Sequence, residues 1–207
     1  MNLQFTDERE FRGFIDELKR RLASREIRSL DRPNLRVSAV LIPLLLKDGE
    51  VHVLLTKRTS KVGTHKGDVS FPGGARDPED PDLLHTAVRE TAEEVGIAGR
   101  DIEYIGEFDH FMSIAGFHVS TFVGAIPHPY EYRVSDDEIE ACIEVPLRLF
   151  RDRMYDEKRE FEFEGEKFNI YYYHYNGYEI WGLTARILTD FGARVLCSAE
   201  SRQEGPV

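Results

Sequence analysis

Cysteine is nearly absent. Two residues, Cys142 and Cys197, occur in 207, too few for a disulfide framework and without zinc-ligand spacing. They read as reduced thiols of a cytoplasmic protein. Long hydrophobic runs are absent too. The longest, Ala39 to Leu46 around Pro43, is too short to cross a bilayer. Met1 to Leu30 alternates acid and base with no secretory signal. Basic charge is in deficit: 27 Lys and Arg against 38 Asp and Glu, net −11 with pI near 5.2. That argues against nucleic-acid and anionic-membrane partners, which need a basic surface. It leaves room for a small phosphorylated ligand, because a bound metal inverts the local field. No internal repeat or low-complexity segment is present. Hydrophobic residues at 41% and charged residues at 31% fit one globular domain with a real core. A homodimer is compatible with this composition.

Against these absences stands Arg89-Glu90-Thr91-Ala92-Glu93-Glu94-Val95-Gly96. On a helix Glu90, Glu93 and Glu94 lie three and four residues apart and project from one face. Like charges crowded there repel, and a divalent cation would offset them. All-oxygen donors suit Mg²⁺ or Mn²⁺, the more so when a substrate adds phosphate oxygens. The competing reading is a solvated acidic face. The framing favours a built helix. Asp80-Pro81 reads as an N-cap followed by proline at the first helical position. Leu83, Leu84, Ala87, Val88, Thr91 and Val95 form an apolar stripe, and Gly96 fits a left-handed stop.

Elsewhere, Asp7 to Ala23 has amphipathic helical spacing in Phe11, Ile15, Leu18 and Leu22. Val37 to Leu46 and Val51 to Lys57 predict a hairpin around Lys47-Asp48-Gly49-Glu50. Ile102 to Phe111, Phe117 to Ile126 and Ala141 to Val145 predict strands. Leu147 to Phe150 starts a short helix. Phe161 to Phe163 and Phe168 to His174 predict a second hairpin, followed by a strand at Tyr178 to Trp181 and a helix at Leu183 to Leu196. Strands mixed with a few helices make the class α/β or α+β. Residues 1–30 are expected as an N-terminal helix packed on a domain of residues 31–197, with 198–207 as a flexible tail.

The residues from Gly73 to Ile97 resemble the signature of the Nudix hydrolases. Arg89-Glu90, Glu93-Glu94, Gly96 and Ile97 match its second half. The first half departs: counted from Gly74, Asp80 stands where glutamate is expected, then eight residues rather than seven precede Arg89. Asp80 therefore receives no metal role. Leu54-Leu55-Thr56-Lys57-Arg58, Gly67 and Phe71-Pro72-Gly73-Gly74 look like the signature of the coenzyme A pyrophosphatase branch. Gly116 to Val119 and Ile180 to Ala185 are similar to its later segments. Thr59 and Gly63 depart from that branch, Gly63 standing where arginine is usual.

The resemblance implies an α/β/α sandwich with a mixed sheet and hydrolysis of the pyrophosphate in coenzyme A or a derivative. The products would be phosphopantetheine and adenosine bisphosphate. It implies that Glu90, Glu93 and Glu94 hold Mg²⁺ or Mn²⁺, with the carbonyl of Gly73 or Gly74 as a backbone ligand. Arg89 would orient a glutamate by a bidentate ion pair. Glu138 aligns best with the distant-loop glutamate that serves as ligand or base, with Asp137 and Glu140 as rivals. Lys57, Arg58 and Lys66, beside Lys61 and His65, are cations for substrate phosphates or else a solvated basic loop. His110, His118 and Tyr171 to Tyr173 read as packing residues. Two further readings stay open: a Nudix pyrophosphatase for ADP-ribose, dinucleotides or nucleotides, and a ligand-sensing Nudix domain without catalysis.

Overall fold

The computed structural model describes residues 1–30, 34–59, 67–163 and 166–197. The N-terminal helix α1 runs Glu8–Ala23, its first turn capped by the Asp7 side chain. Two long strands follow, β1 (Arg36–Lys47) and β2 (Glu50–Arg58), joined at Asp48-Gly49, both at positive φ. They are ordinary antiparallel partners only near the turn, from Leu44↔Val53 to Lys47↔Glu50. Beyond that the hairpin splays. A wedge of two short strands enters the gap: β3 (Val69–Ser70) pairs with β2, and β4 (Gly73–Ala75) pairs with β1. Neither short strand is legible in the sequence. Pro43 stands between the last β4 pair, at Val40, and the first β2 pair, at Leu44. A residue without an N–H is tolerated in a central strand where that edge has no partner.

The helix α2 (Leu83–Val95) leaves the wedge, and the strands β5 (Glu103–Met112), β6 (Phe117–Ala125) and β7 (Ile139–Pro146) complete the large sheet. β6 lies parallel to β1, while β5 on β6 and β7 on β2 are antiparallel. The sheet is therefore mixed, as expected. A four-residue helix α3 (Arg148–Arg151) leads to a separate antiparallel sheet of β8 (Glu157–Phe163), β9 (Glu166–Tyr175) and β10 (Tyr178–Ile180). The chain then forms α4 (Gly182–Phe191). The expected single helix to Leu196 instead widens into a π turn at Gly192–Leu196. A Cβ at Gly192 would press on the Phe150–Arg151 backbone, so only glycine lets the segments approach.

Period-two alternation along β1 divides the core. Ala39 and Leu41 face Ala87 of α2 and Phe122 of β6, while Ile42 and Leu44 join the larger cluster that holds α1 and α4. Helices thus cover both faces, which makes the α/β/α sandwich. Leu18 of α1 is inaccessible, and Phe108 meets Phe191 edge-on at 5.3 Å. Among the described residues no helix is long and apolar enough to cross a membrane. Both cysteines are free, and burial pushes the Cys142 thiol up to about 12.

Candidate functional site

Three backbone features converge on Glu94. The first is the end of β2. Arg58 sits at a register shift in the β2–β7 ladder and donates from Nη1 to Glu94 Oε1 at 3.2 Å. The second is the glycine wedge. The Gly73 N–H donates to Glu94 Oε2 at 3.2 Å, and a Cβ on Gly74 would overlap the Glu90 carboxylate. Glycine is required there because β4 runs against the acidic helix face. The third is the segment after β6. The Arg133 N–H donates to Val95 O, and the Ser135 N–H donates to Glu94 O, tying that segment to the end of α2. Thr59 then fixes Glu138: its N–H donates to Glu138 O at 2.8 Å and its hydroxyl to Asp137 O at 3.0 Å. Arg58 Nη2 lies 3.9 Å from Glu138 Oε2. A glutamate 44 positions downstream of Glu94 is thereby brought to the same arginine.

The helix differs from its expected framing in two ways. The N-cap is Asp82, whose side chain accepts from the His85 N–H; it is not Asp80. Asp80 is instead buried and receives Arg89 bidentately, Nε to Oδ1 at 3.0 Å and Nη2 to Oδ2 at 3.0 Å. The bidentate partner of Arg89 is thus an aspartate and not a glutamate. The Asp77 N–H and Thr86 hydroxyl also donate to Asp80, and with Arg89 they hold its carboxyl below the carboxylate range. The remaining amine of Arg89, Nη1, reaches Glu90 at 2.9 Å and Glu93 at 3.1 Å. Gly96 ends the helix at φ 74°, the left-handed stop the sequence predicts.

The three glutamates are not equivalent. Glu93 is 61% exposed, Glu90 is partly buried and Glu94 is only 3% exposed. Burial pushes the Glu94 carboxyl up to about 7, and the Gly73 N–H and Arg58 only partly oppose it. Burial also raises Glu90, and Glu138 adds repulsion to both. Among the described residues no three Asp, Glu, His or Cys side chains are grouped to hold a metal ion as they stand. Arg89 draws Glu90 and Glu93 to its own side, and Arg58 takes Glu94. The donor set nevertheless fits a hard divalent cation: all-oxygen, mutually repelling and, at Glu94, desolvated without full compensation.

Of the expected phosphate-binding cations, Arg58 is at the site. Lys57 points its amine toward the Tyr178 ring, 6.0 Å from its centre. Lys66, Lys61, His65 and Gly63 lie outside the described residues. Asp137 and Glu140, the rivals of Glu138, are exposed, and Glu138 is the one of the three within 4 Å of Arg58. His118 and His110 contact each other at 3.0 Å, and Tyr173 is buried with its hydroxyl against Thr189.

Arg58, Gly73 and Gly74 open onto a cleft of about 890 Å³. Its other walls come from segments that the sequence did not single out: Arg28, Asp109, Arg186, Asp190 and Arg194 among apolar neighbours. The available signal was an aspartate between Phe108 and His110 in β5 and an Asp190/Arg194 pair four residues apart.

A model of the NUDIX domain matches residues 35–163. The chain is 38% identical over 171 residues to the uncharacterized Nudix hydrolase NudL of Enterobacter sp. (strain 638), covering 81% of this chain and 86% of that one. Identity to NudL of Cronobacter sakazakii (strain ATCC BAA-894) is 37% over 166 residues, 78% and 84% of the two chains. Among solved structures, a NUDIX hydrolase from Alicyclobacillus acidocaldarius superposes with a TM-score of 0.50 at 21% identity, covering 80% of this chain and 94% of that one. That likeness concerns the fold.

Proposed function

This chain belongs to the Nudix family and is a hydrolase of the pyrophosphatase type, and from that premise we propose that it cleaves the diphosphate of coenzyme A or a derivative, giving phosphopantetheine and adenosine bisphosphate. The observation that carries the reading is the convergence on Glu94. The Leu54-to-Arg58 and Phe71-to-Gly74 segments, whose residue pattern is similar to the coenzyme A branch, meet the glutamate helix at that one carboxylate, at 3.2 Å from each side.

In this reading Glu90, Glu93 and Glu94, with the Gly74 carbonyl, hold Mg²⁺ or Mn²⁺. The ion supplies charge neutralisation at the phosphoryl oxygens and a water of lowered pKa. Glu138 is the general base, its carboxylate taking the proton from the attacking water; Glu93, the other exposed acid, is the second candidate for that proton. Arg58 bridges Glu94 and Glu138 when no ligand is bound and turns to a substrate phosphate when one arrives, freeing both carboxylates. Lys57 and Lys66 stay as phosphate-binding candidates on the strength of the resemblance alone. Arg89 is a positioning residue: anchored on Asp80, it sets the rotamers of Glu90 and Glu93. The protein acts where nucleotides and Mg²⁺ are abundant, in the cytoplasm.

The test is incubation of the purified protein with coenzyme A and Mg²⁺, with chromatography for the two products. Formation of both, abolished by chelator, is the expected result. Rapid turnover of ADP-ribose or a dinucleotide with none of coenzyme A would move the substrate to another nucleoside diphosphate derivative. Tight ligand binding without any turnover would make the domain a sensor.

A further inference from the structure

The chain has one tryptophan, Trp181. It stands where β10 ends and α4 begins, and it is 37% exposed while Ile180 before it is inaccessible. Leaving so large an apolar ring in water forgoes the stabilisation that a core position supplies. The ring is nonetheless held in place. Tyr172 of β9 lies parallel to it within 3°, at 6.1 Å between centres. The Arg159 guanidinium of β8 lies over Tyr172 at 4.6 Å. The backbone is fixed on both sides of Trp181: Ile180 pairs with Tyr173 in the β10–β9 ladder, and Trp181 O accepts from the Ala185 N–H in the first turn of α4. Arg159, Tyr172 and Trp181 thus group three flat side chains from three elements, and Trp181 is the one of the three that lines the cleft.

Arg58, Gly73 and Gly74 line the same cleft. β10 lies against β3, and Phe71-Pro72 joins β3 to β4, whose Gly73 N–H meets Glu94. The indole is therefore one short strand removed from the acidic centre, which uses neither Trp181 nor Tyr172. A nucleoside diphosphate has the same plan, with a flat base one sugar away from its diphosphate. A flexible aliphatic arm has no flat face to match an indole. Every base has a π-face to lay on an aromatic ring, and a ring that is already immobilised loses little freedom on binding.

We propose that Trp181 is the residue on which the nucleobase of the substrate stacks while the diphosphate lies at the glutamates. This rests on the proposed pyrophosphatase reading, in its nucleoside diphosphate chemistry and not in coenzyme A itself.

Fluorescence of the single indole reports on this position alone. AMP should quench it saturably. Ribose 5-phosphate, which keeps the sugar and phosphate but has no base, should not. Calorimetry then compares the variants. Trp181→Leu should weaken AMP binding about 5- to 150-fold, the range for loss of one stacked base, and Trp181→Phe should keep part of the affinity. Thermal melts would establish that each variant is folded. With coenzyme A as substrate the loss in Trp181→Leu should fall on KM and not on kcat, because a group far from the reacting atoms binds ground and transition states alike; a merely structural role would lower kcat as well. AMP that leaves the indole fluorescence unchanged, a quench that does not saturate, or a Leu variant that binds AMP as tightly as wild type overturns the proposal. If coenzyme A is not hydrolysed but AMP quenches Trp181 and the Leu variant loses affinity, the coenzyme A reading fails and the stacking site stands.

Discussion

Replacing Glu94 by Gln is expected to make the metal-free protein more stable and the enzyme nearly inactive. Glu94 carries its proton far more tightly in the folded chain than in the unfolded one, about 7 against an ordinary 4.5. A tenfold change in proton affinity is worth about 1.4 kcal/mol. Keeping the carboxylate charged above pH 7 therefore costs the fold about 3 kcal/mol. The sign follows from linkage: between pH 4.5 and 7 the folded state binds more protons, so stability falls as pH rises through that window. Gln removes the cost and keeps the volume. Its amide cannot accept from both Arg58 and Gly73, and turning a donor toward either one returns about 1–2 kcal/mol. The net gain is about 1–2 kcal/mol at pH 8, or about 2–8 °C in Tm for a chain of this size. Thermal melts from pH 4.5 to 8 in chelator measure it. The difference between variant and wild type should be largest at pH 8 and vanish or reverse at pH 4.5. Added Mg²⁺ should raise the wild-type Tm and leave the variant unmoved. A variant less stable than wild type at pH 8, or one that keeps a full response to Mg²⁺, would refute the assignment of Glu94 as a strained, ion-awaiting carboxylate.

Other outcomes follow from the same geometry. Arg89→Lys removes the bidentate grip on Asp80 along with the hold on Glu90 and Glu93; activity should fall about 10- to 100-fold, with a matching rise in the Mg²⁺ needed for half-maximal rate. Glu138→Gln should lower kcat by about 10²–10⁴ with Tm nearly unchanged, since the side chain is 49% exposed; equal loss from Asp137→Asn would count against the choice of base. Leu18→Ala should cost about 2–5 kcal/mol by denaturant unfolding, because the side chain is inaccessible in the core that α1 shares with α4; a loss below 1 kcal/mol would mean that α1 is not integral to the domain. Saturating Mg²⁺ at about 100 times its dissociation constant should stabilise the wild-type protein by about 2.7 kcal/mol, read as a Tm shift that chelator reverses.

The local rules were legible in the chain. Period-3.6 apolar spacing identified α1 and α2, β-branched and aliphatic runs bounded by glycine turns identified β1, β2, β5 and β6, and Gly96 marked the end of α2, because each depends on residues within a turn or two of one another. The signature residues identified the acidic helix face before any contact was known. Boundaries governed by competing donors were not legible. Asp80 before Pro81 reads as the cap, yet Asp82 takes that place, because Arg89, nine residues on, claims Asp80 with two hydrogen bonds.

Tertiary structure alone decided the rest. The splay of β1 from β2, and the wedge of β3 and β4 that fills it, have no periodic signal, since two- and three-residue strands bury too little to pattern a sequence. Which glutamate is desolvated is a property of the wedge packed over Glu94, not of the motif in which Glu90, Glu93 and Glu94 look alike. Glu138 and Thr59 meet through backbone bonds between distant segments, and Asp109 of β5 is paired with Arg25 from the segment after α1 and Arg194 from the π turn after α4. Sequence determines which groups a chain possesses and the local shape of its elements. Their distances and their dielectric surroundings, from which a carboxylate's proton affinity and a cleft's charge arise, exist only once the elements have packed.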